Sequence, residues 1–302
     1  MICYNNRKIL KYKCLEYGGC IGMLITSKKI FQETRKRRFA IPAVNFFDQL
    51  SIKAYTEVAE ELNLPIILEY AESHGNYLSL DEAGVLGNFY GEQVKVPVVL
   101  HLDHGSNVGL IKRAIDMGFT SVMIDASQES LEKNIEKTKE IIAYAHPRGV
   151  TVEAEIGHVG TGMTDLSAAD DSIYTSVTDA VNLAKATGVD SLAISIGTAH
   201  GSYSGTPIIN FDRLEEIAAS MATPLVLHGG SSSGDDNLER CALNGISKIN
   251  IFTDFVLAAR DSVKQADPQS YFEIKNFAKQ GMKDCLRHYY KVFHTEKYNF
   301  SV

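Results

Sequence analysis

Eight short apolar runs, each followed by an amphipathic stretch, divide the chain after Met23. The runs are FAIPAVN (39–45), PIILEYA (65–71), VPVVLHLDH (96–104), TSVMID (120–125), VTVEAEIG (150–157), SLAISIG (191–197), TPLVLHG (223–229) and SKINIFT (247–253). They are nearly continuous in apolar residues, as parallel strands covered on both faces are. The stretches between them carry helical periodicity. Ile52, Tyr55, Ala59 and Leu62 share one face of a helix over 51–63. Ser130 caps a second helix, which aligns Leu131, Ile135, Thr138 and Ile142 and stops before Pro147. A third runs from a cap at Thr178 to a stop at Gly188. Eight strand–helix units in about 230 residues predict an α/β, single-domain (β/α)8 TIM barrel. A doubly wound open sheet is the alternative, and the lack of a GxGxxG after the first strand speaks against it.

With 302 residues, 45% of them hydrophobic, the chain can bury a large core. The net charge of -7 and the absence of basic tracts beyond RKRR (35–38) exclude nucleic acid as a first expectation. No apolar run reaches 18 residues, so no membrane span is expected. Cys3, Cys14, Cys20, Cys241 and Cys285 fit neither a CxxC site nor a disulfide framework, which places the chain in a reducing, cytoplasmic setting. Residues 1–22 lack the apolar h-region of a signal peptide and form an extension outside the core, disordered or an upstream-start artefact. The folded domain is 23–302.

Polar residues collect where the strands end. Asn45 closes the first strand, Asp103 and His104 the third, and Asp125 the fourth. Glu153 and Glu155 lie in the fifth, His200 follows the sixth, His228 ends the seventh, and Asn250 and Thr253 lie in the eighth. A lone histidine after a strand is commonly a hydrogen-bonded core or surface residue, and a lone aspartate there often caps the next helix. In a barrel, however, all these ends meet at one mouth. Three imidazoles with an open position form the catalytic zinc pattern, and nitrogen ligands favour zinc over magnesium or calcium. His74, His146, His288 and His294 fall in loops or helices and receive no role. HGGSSSG (228–234) and NIFTD (250–254) follow the last two strands, where many barrels bind phosphate on backbone N–H groups and hydroxyls. The long connection 158–176 has the length of an active-site loop.

The segments VNF, VPVVLHLDHG, SVMIDAS, VEAEIG, AISIGTAHG, PLVLHGGSS and KINIFTD together resemble the class II, metal-dependent ketose-bisphosphate aldolases, close to the fructose- and tagatose-bisphosphate branch. The resemblance runs from about Met23 to the C-terminus. It implies a lyase that reversibly cleaves a phosphorylated ketose to dihydroxyacetone phosphate and an aldehyde through a metal-stabilised enediolate. It implies Asp103 as the acid/base, His104, His200 and His228 as ligands of the catalytic Zn2+, and Asp125 and Glu155 as a second or alternate metal site. His101 would be a neighbour. Asn45, Gly201, the turn Gly229, Gly230 and Ser231, and the turn Asn250, Ile251, Phe252 and Thr253 would hold substrate and its phosphate. A monovalent cation, Na+ or K+, near that phosphate and a homodimer or homotetramer are further implications. A Schiff-base lysine is the other solution to aldol chemistry. Lys248 starts the eighth strand, at the opposite mouth, and no lysine closes a strand.

The chain departs from the pattern at several places. GTGMTD (160–165) puts Met163 where the family carries a loop glutamate, leaving Asp165, His158 or a water as substitutes. Ser204 in HGSYSG replaces a lysine, Ala71 replaces a hydroxyl residue, and Phe252 replaces a polar one. These changes predict a substrate preference altered from fructose 1,6-bisphosphate. Two other functions compete: a catalytically silent barrel supporting a partner enzyme, and a metal-dependent barrel hydrolase. The hydrolase would place an HxH pair after its first strand, where this chain has AVNFF.

Overall fold

A computed structural model describes residues 23–157, 160–161, 174–201 and 205–299, without the side chains of Thr161 and His200. The expected extension 1–22 and most of the 158–176 connection lie outside the described residues. The strands are β1 (Ile41–Asn45), β2 (Ile66–Ala71), β3 (Val98–Gly105), β4 (Ser121–Ile124), β5 (Thr151–Ile156), β6 (Ser191–Ile194), β7 (Leu225–Leu227) and β8 (Ile246–Ile251). All pair in parallel and in sequence order, and β1 closes on β8 with Ile41 opposite Lys248 and Ala43 opposite Asn250. The expected eight-stranded barrel is therefore formed.

The helices are α1 (Ser27–Arg37), α2 (Gln49–Leu62), α3 (Leu80–Gln93), α4 (Val108–Asp116), α5 (Leu131–Ala145), α6 (Val177–Thr187), α7 (Phe211–Ser220), α8 (Asp235–Leu243), α9 (Thr253–Ala266) and α10 (Tyr271–Val292). Helix α2 begins in a capping box, with Asp48 accepting from the Ser51 N–H at 2.7 Å. Ile52, Tyr55 and Ala59 are buried as expected, but Leu62 is 41% exposed because the chain leaves the helix at Asn63 in the left-handed region. In α5 the buried stripe is Asn134, Thr138, Ile141 and Ala145, so the face is rotated from the expected one and Leu131, Ile135 and Ile142 flank it. The cap of α6 is Ser176, whose side chain accepts from the Asp179 N–H, and not Thr178.

Strand alternation sorts the core into two. Val44, Ile66, Leu68, Leu100 and Leu102 point outward and pack with the helices. Ile41, Ala43, Ile67 and Val99 point inward and, with Ile30 and Phe31 of α1 and Phe39, plug the lower end of the barrel. The next inward layer holds Glu69, His101, Glu153 and Lys248, all at most 2% exposed. Above it stand Asn45, Asp103, Glu155, His228 and Asn250, also buried. Two-residue parallel strands, Gly160–Thr161 and Ala199–His200, bring the connection after β5 alongside that after β6. Among the described residues, no helix is long and apolar enough to cross a membrane.

Candidate active site and metal centre

Alternation along β3 points His101 and Asp103 into the barrel and would send His104 out toward the helices. The backbone prevents this. The β3–β4 register slips between Leu102 and Gly105, and His104 takes φ +48°, in the left-handed region rarely used by residues other than glycine. The bulge turns the His104 ring toward the mouth, where its Nδ1 lies 2.9 Å from Asp125 Oδ2. Its Nε2 lies 2.8 Å from Nδ1 of His228, which follows β7. On the far side of the His228 ring, Nε2 lies 3.0 Å from Glu153 Oε1.

Each imidazole is thus backed by a carboxylate while its other nitrogen converges on a shared point, the arrangement that fixes metal-binding histidines. Asp103 Oδ1 stands 4.0 Å from His104 Nε2, and Glu155 Oε2 stands 3.5 Å from His228 Nδ1. Atoms of Asp103, His104 and His228 all lie within 4.8 Å of one another, and so do those of His104, Asp125 and Glu155. Two nitrogens on a tetrahedral ion with bonds of about 2.0–2.1 Å are about 3.3 Å apart. Opening the pair from 2.8 Å by half an ångström would admit a divalent ion, so the donor set fits a metal. The sequence-predicted ligands His104 and His228 and the alternate set Asp125 and Glu155 therefore meet. The backbone of His200 lies at the same mouth, in its two-residue strand, and its side chain falls outside what is described.

The protonation states agree with this geometry. Burial opposes charge on His104, but Asp103, the hydrogen bond to Asp125 and the carboxylate of Glu155 outweigh it and raise its pKa to about 10. Burial, followed by the His104 cation, lowers that of His228. Of the two rings, His104 is the one favoured as the cation, and its charge lies beside the point where a metal cation would go. Asp103 is buried, which favours its neutral form. His104, His228, Lys248 and the amide of Asn45 prevail, and its carboxyl is held well below the ordinary range.

Asn45 and Asn250 both donate to Asp103: Asn45 Nδ2 to Oδ2 at 2.9 Å and Asn250 Nδ2 to Oδ1 at 3.0 Å. They fix both oxygens of that carboxylate. Below it, Lys248 is not at the opposite mouth as its place in the sequence implied. Its four-carbon stem carries the ammonium up inside the barrel to Glu69 at 2.8 Å, Glu153 at 2.9 Å and His101 Nε2 at 3.4 Å. Glu69, His101 and Asp103 also cluster closely enough to hold a metal, but this ammonium already supplies the cation there. His101 Nδ1 turns to Ser121 Oγ at 2.8 Å, consistent with a neighbour and not a ligand. Sequence reasoning missed Glu69 and Lys248 and the role of Glu153 behind His228. The available signal was a charged residue inside an apolar strand, which must find a partner when buried.

The two glycine- and hydroxyl-rich turns join into one. Gly229 takes φ +66°, and a Cβ there would meet the Ala199 carbonyl at 2.3 Å, so only glycine lets the turn after β7 lie against the one after β6. Gly201, at φ +99°, follows β6 beside it. Gly230 N–H donates to the Asn250 carbonyl at 3.1 Å. Ser231 Oγ accepts from the N–H groups of Phe252 at 3.1 Å and Asp254 at 3.4 Å. Asp254 in turn accepts from Ser232 N at 2.8 Å and from the Tyr289 hydroxyl of α10. The N-terminus of α9, at Thr253, borders this surface. Ile251 contributes backbone only, since its side chain is buried in the outer core.

Comparison with known proteins gives a family model, fructose-bisphosphate aldolase class II, matching residues 25–297. The chain is 35% identical over 283 residues to a fructose-bisphosphate aldolase of Staphylococcus epidermidis, covering 90% of this chain and 98% of that one. It is similar to the crystal structure of the YdjI aldolase from Escherichia coli K12, with TM-score 0.81, 30% identity and coverage of 90% and 98%. A fructose-bisphosphate aldolase structure from Campylobacter jejuni, at 23% identity and TM-score 0.80 over 91% and 96%, shares the fold. With the barrel, the paired imidazoles and this match over nearly the whole length, the chain belongs to the class II fructose-bisphosphate aldolase family.

Proposed function

We propose that this protein is a zinc-dependent aldolase that reversibly cleaves a phosphorylated ketose into dihydroxyacetone phosphate and an aldehyde, with a preference shifted away from fructose 1,6-bisphosphate. The observation that carries the assignment is the meeting of a doubly held carboxylate, Asp103, with two carboxylate-backed imidazoles, His104 and His228, at one barrel mouth. Names of the curated relatives support aldol cleavage of a sugar phosphate.

His104, His200 and His228 would hold the zinc, and Asp125 and Glu155 an alternate position. When bound, the ion supplies Lewis-acid stabilisation of the negative charge that cleavage places on the ketone oxygen. Asp103 takes the proton of the C4 hydroxyl as the C3–C4 bond breaks and returns it on condensation. Held ionised, with both oxygens fixed by Asn45 and Asn250, it is ready to accept that proton. The phosphate of the three-carbon half would sit on the Gly229–Ser231 and Asn250–Thr253 turns, with Gly201, where the α9 N-terminus favours an anion. A monovalent cation beside that phosphate, one domain over 23–302, a homodimer or homotetramer and a cytoplasmic location complete the proposal. The shift in preference is motivated by Met163, Ser204, Ala71 and Phe252.

Chelation should abolish retro-aldol activity and added zinc should restore it. Asp103→Asn should lower kcat by about 10²–10⁴-fold while the protein still binds zinc. A metal-free protein with chelator-insensitive activity would exclude the zinc assignment. Fructose 1,6-bisphosphate as the best substrate in a ketose phosphate panel would exclude the shifted preference.

A further inference from the structure

The strand-to-helix connections build the mouth of a barrel. Here they are residues 46–48, 72–79, 106–107, 125–130, 157–176, 195–210, 228–234 and 252, and none contains a lysine or arginine. They do contain Asp48, Glu72, Asp125, Glu129, Asp165, Asp170 and Asp171. Lys248 lies beneath the mouth, taken up by Glu69 and Glu153. Arg213, on α7, donates to the Thr175 carbonyl and pairs with Glu216.

A phosphate monoester carries a charge of about −1.5 to −2 at neutral pH and is held by Arg or Lys, or by N–H groups at a helix N-terminus. The joined β7 and β8 turns offer the second kind of cradle to one phosphate. A substrate with that phosphate there and its C4 hydroxyl at Asp103 would extend toward the strand ends that adjoin Asp103, those of β2 and β1. Asp103 pairs in register with Ala71, which has no hydroxyl to offer. The next residue, Glu72, is fixed there by Ser106, whose N–H donates to Oε2 at 2.7 Å and whose hydroxyl lies at 3.2 Å. In the same turn as Glu72, His74 lies tilted against Phe252 at 4.4 Å, and Phe252 packs edge-on against Phe47 at 5.9 Å, forming an aromatic wall. A carboxylate, two phenyl rings and an imidazole whose burial opposes its charge repel or ignore a second phosphate, whereas they accept a neutral chain that hydrogen-bonds Glu72 through hydroxyls.

Resting on the aldolase assignment above, we propose that the aldehyde half carries no phosphate. The substrate class is then a ketose 1-phosphate with an uncharged far end, and Ala71, Glu72, Phe47 and Phe252 select it.

The zinc-loaded enzyme is tested in the condensation direction with dihydroxyacetone phosphate and either glyceraldehyde or glyceraldehyde 3-phosphate. Exchange of the dihydroxyacetone phosphate C3 proton in D2O is followed without aldehyde. Exchange with kcat/KM at least about tenfold higher for glyceraldehyde supports the proposal. Exchange with glyceraldehyde 3-phosphate preferred overturns it and leaves the aldolase assignment standing. No exchange and no cleavage of any ketose phosphate overturns both. Glu72→Gln keeps an acceptor for Ser106 and should raise the ratio of kcat/KM for glyceraldehyde 3-phosphate over glyceraldehyde by about three- to tenfold. An unchanged ratio removes Glu72 as a selector.

Discussion

Lys248 supplies the positive charge between two carboxylates in a layer that water does not reach, with Glu69 and Glu153 each at most 1% exposed. Removing it leaves the buried Glu153 carboxylate without its cation, beside a Glu69 whose burial already favours the neutral acid, a defect of about 3–5 kcal/mol in comparable buried pairs. Lys248→Met should therefore lower unfolding stability by that order in urea titrations, and a change under 1 kcal/mol would show that the layer is not held by charge. Glu153 faces both ways, toward Lys248 and toward His228 Nε2. Glu153→Gln should weaken zinc affinity about 10–100-fold in competition with a chromophoric chelator, as loss of a carboxylate behind a metal-binding histidine does. Unaltered affinity would mean that Glu153 matters to the barrel alone.

At the scale of elements, the end of β3 shows how one strand delivers two adjacent side chains to one site. The register slip and the φ of +48° at His104 undo the alternation that would have separated it from Asp103. Asparagine tolerates the left-handed region and β-branched residues do not. Both His104→Asn and His104→Val should lose zinc, but only the valine variant should also lose thermal stability, by about 1–3 kcal/mol. Equal melting temperatures would place no strain at that position.

Helices α2 and α10 are tied by Glu57 and Glu61 to Lys279, Lys283 and Arg287. Burial acts against Glu57, but hydrogen bonds from Lys283 and Lys279 prevail and lower its pKa, while the Lys283 hydrogen bond lowers that of Glu61. Burial likewise opposes charge on Lys283, and Glu61 and Glu57 raise its pKa. Lowered carboxyls stabilise above the unfolded value of 4.5, and that stability disappears as pH falls through the folded value. The raised ammonium stabilises below 10.5 and loses its contribution as pH rises through its folded value. The melting-temperature gap between the wild type and Lys283→Met should be flat near neutrality and shrink below 4.5 and above 10.5. A gap independent of pH would leave only the apolar stem at work. None of this lattice was legible beforehand, since its partners lie more than 200 positions apart. The helices themselves were, through their periodicity and caps, with errors confined to a rotated face in α5, an exposed Leu62 at the end of α2 and a cap placed two residues late at α6.

For the molecule as a whole, barrel closure was readable because each strand is covered on both sides and the apolar runs are continuous. The cluster of Asp103, His104, His228, Asp125 and Glu155 was readable because that topology forces all strand ends to one mouth. The charged layer beneath was not, because Glu69 and Lys248 lie in different strands and only the closed sheet makes them meet. In sequence, the strand-to-helix connections carry carboxylates and no lysine or arginine, on a chain whose net charge is -7. An incoming sugar phosphate is an anion meeting an anion, so diffusional encounter lacks the electrostatic steering that speeds capture in many enzymes of charged metabolites. Raising ionic strength should then quicken productive collision, with kcat/KM climbing about two- to threefold between 20 and 300 mM salt of a weakly binding anion. A fall over that range would reveal an attractive field that these connections do not supply.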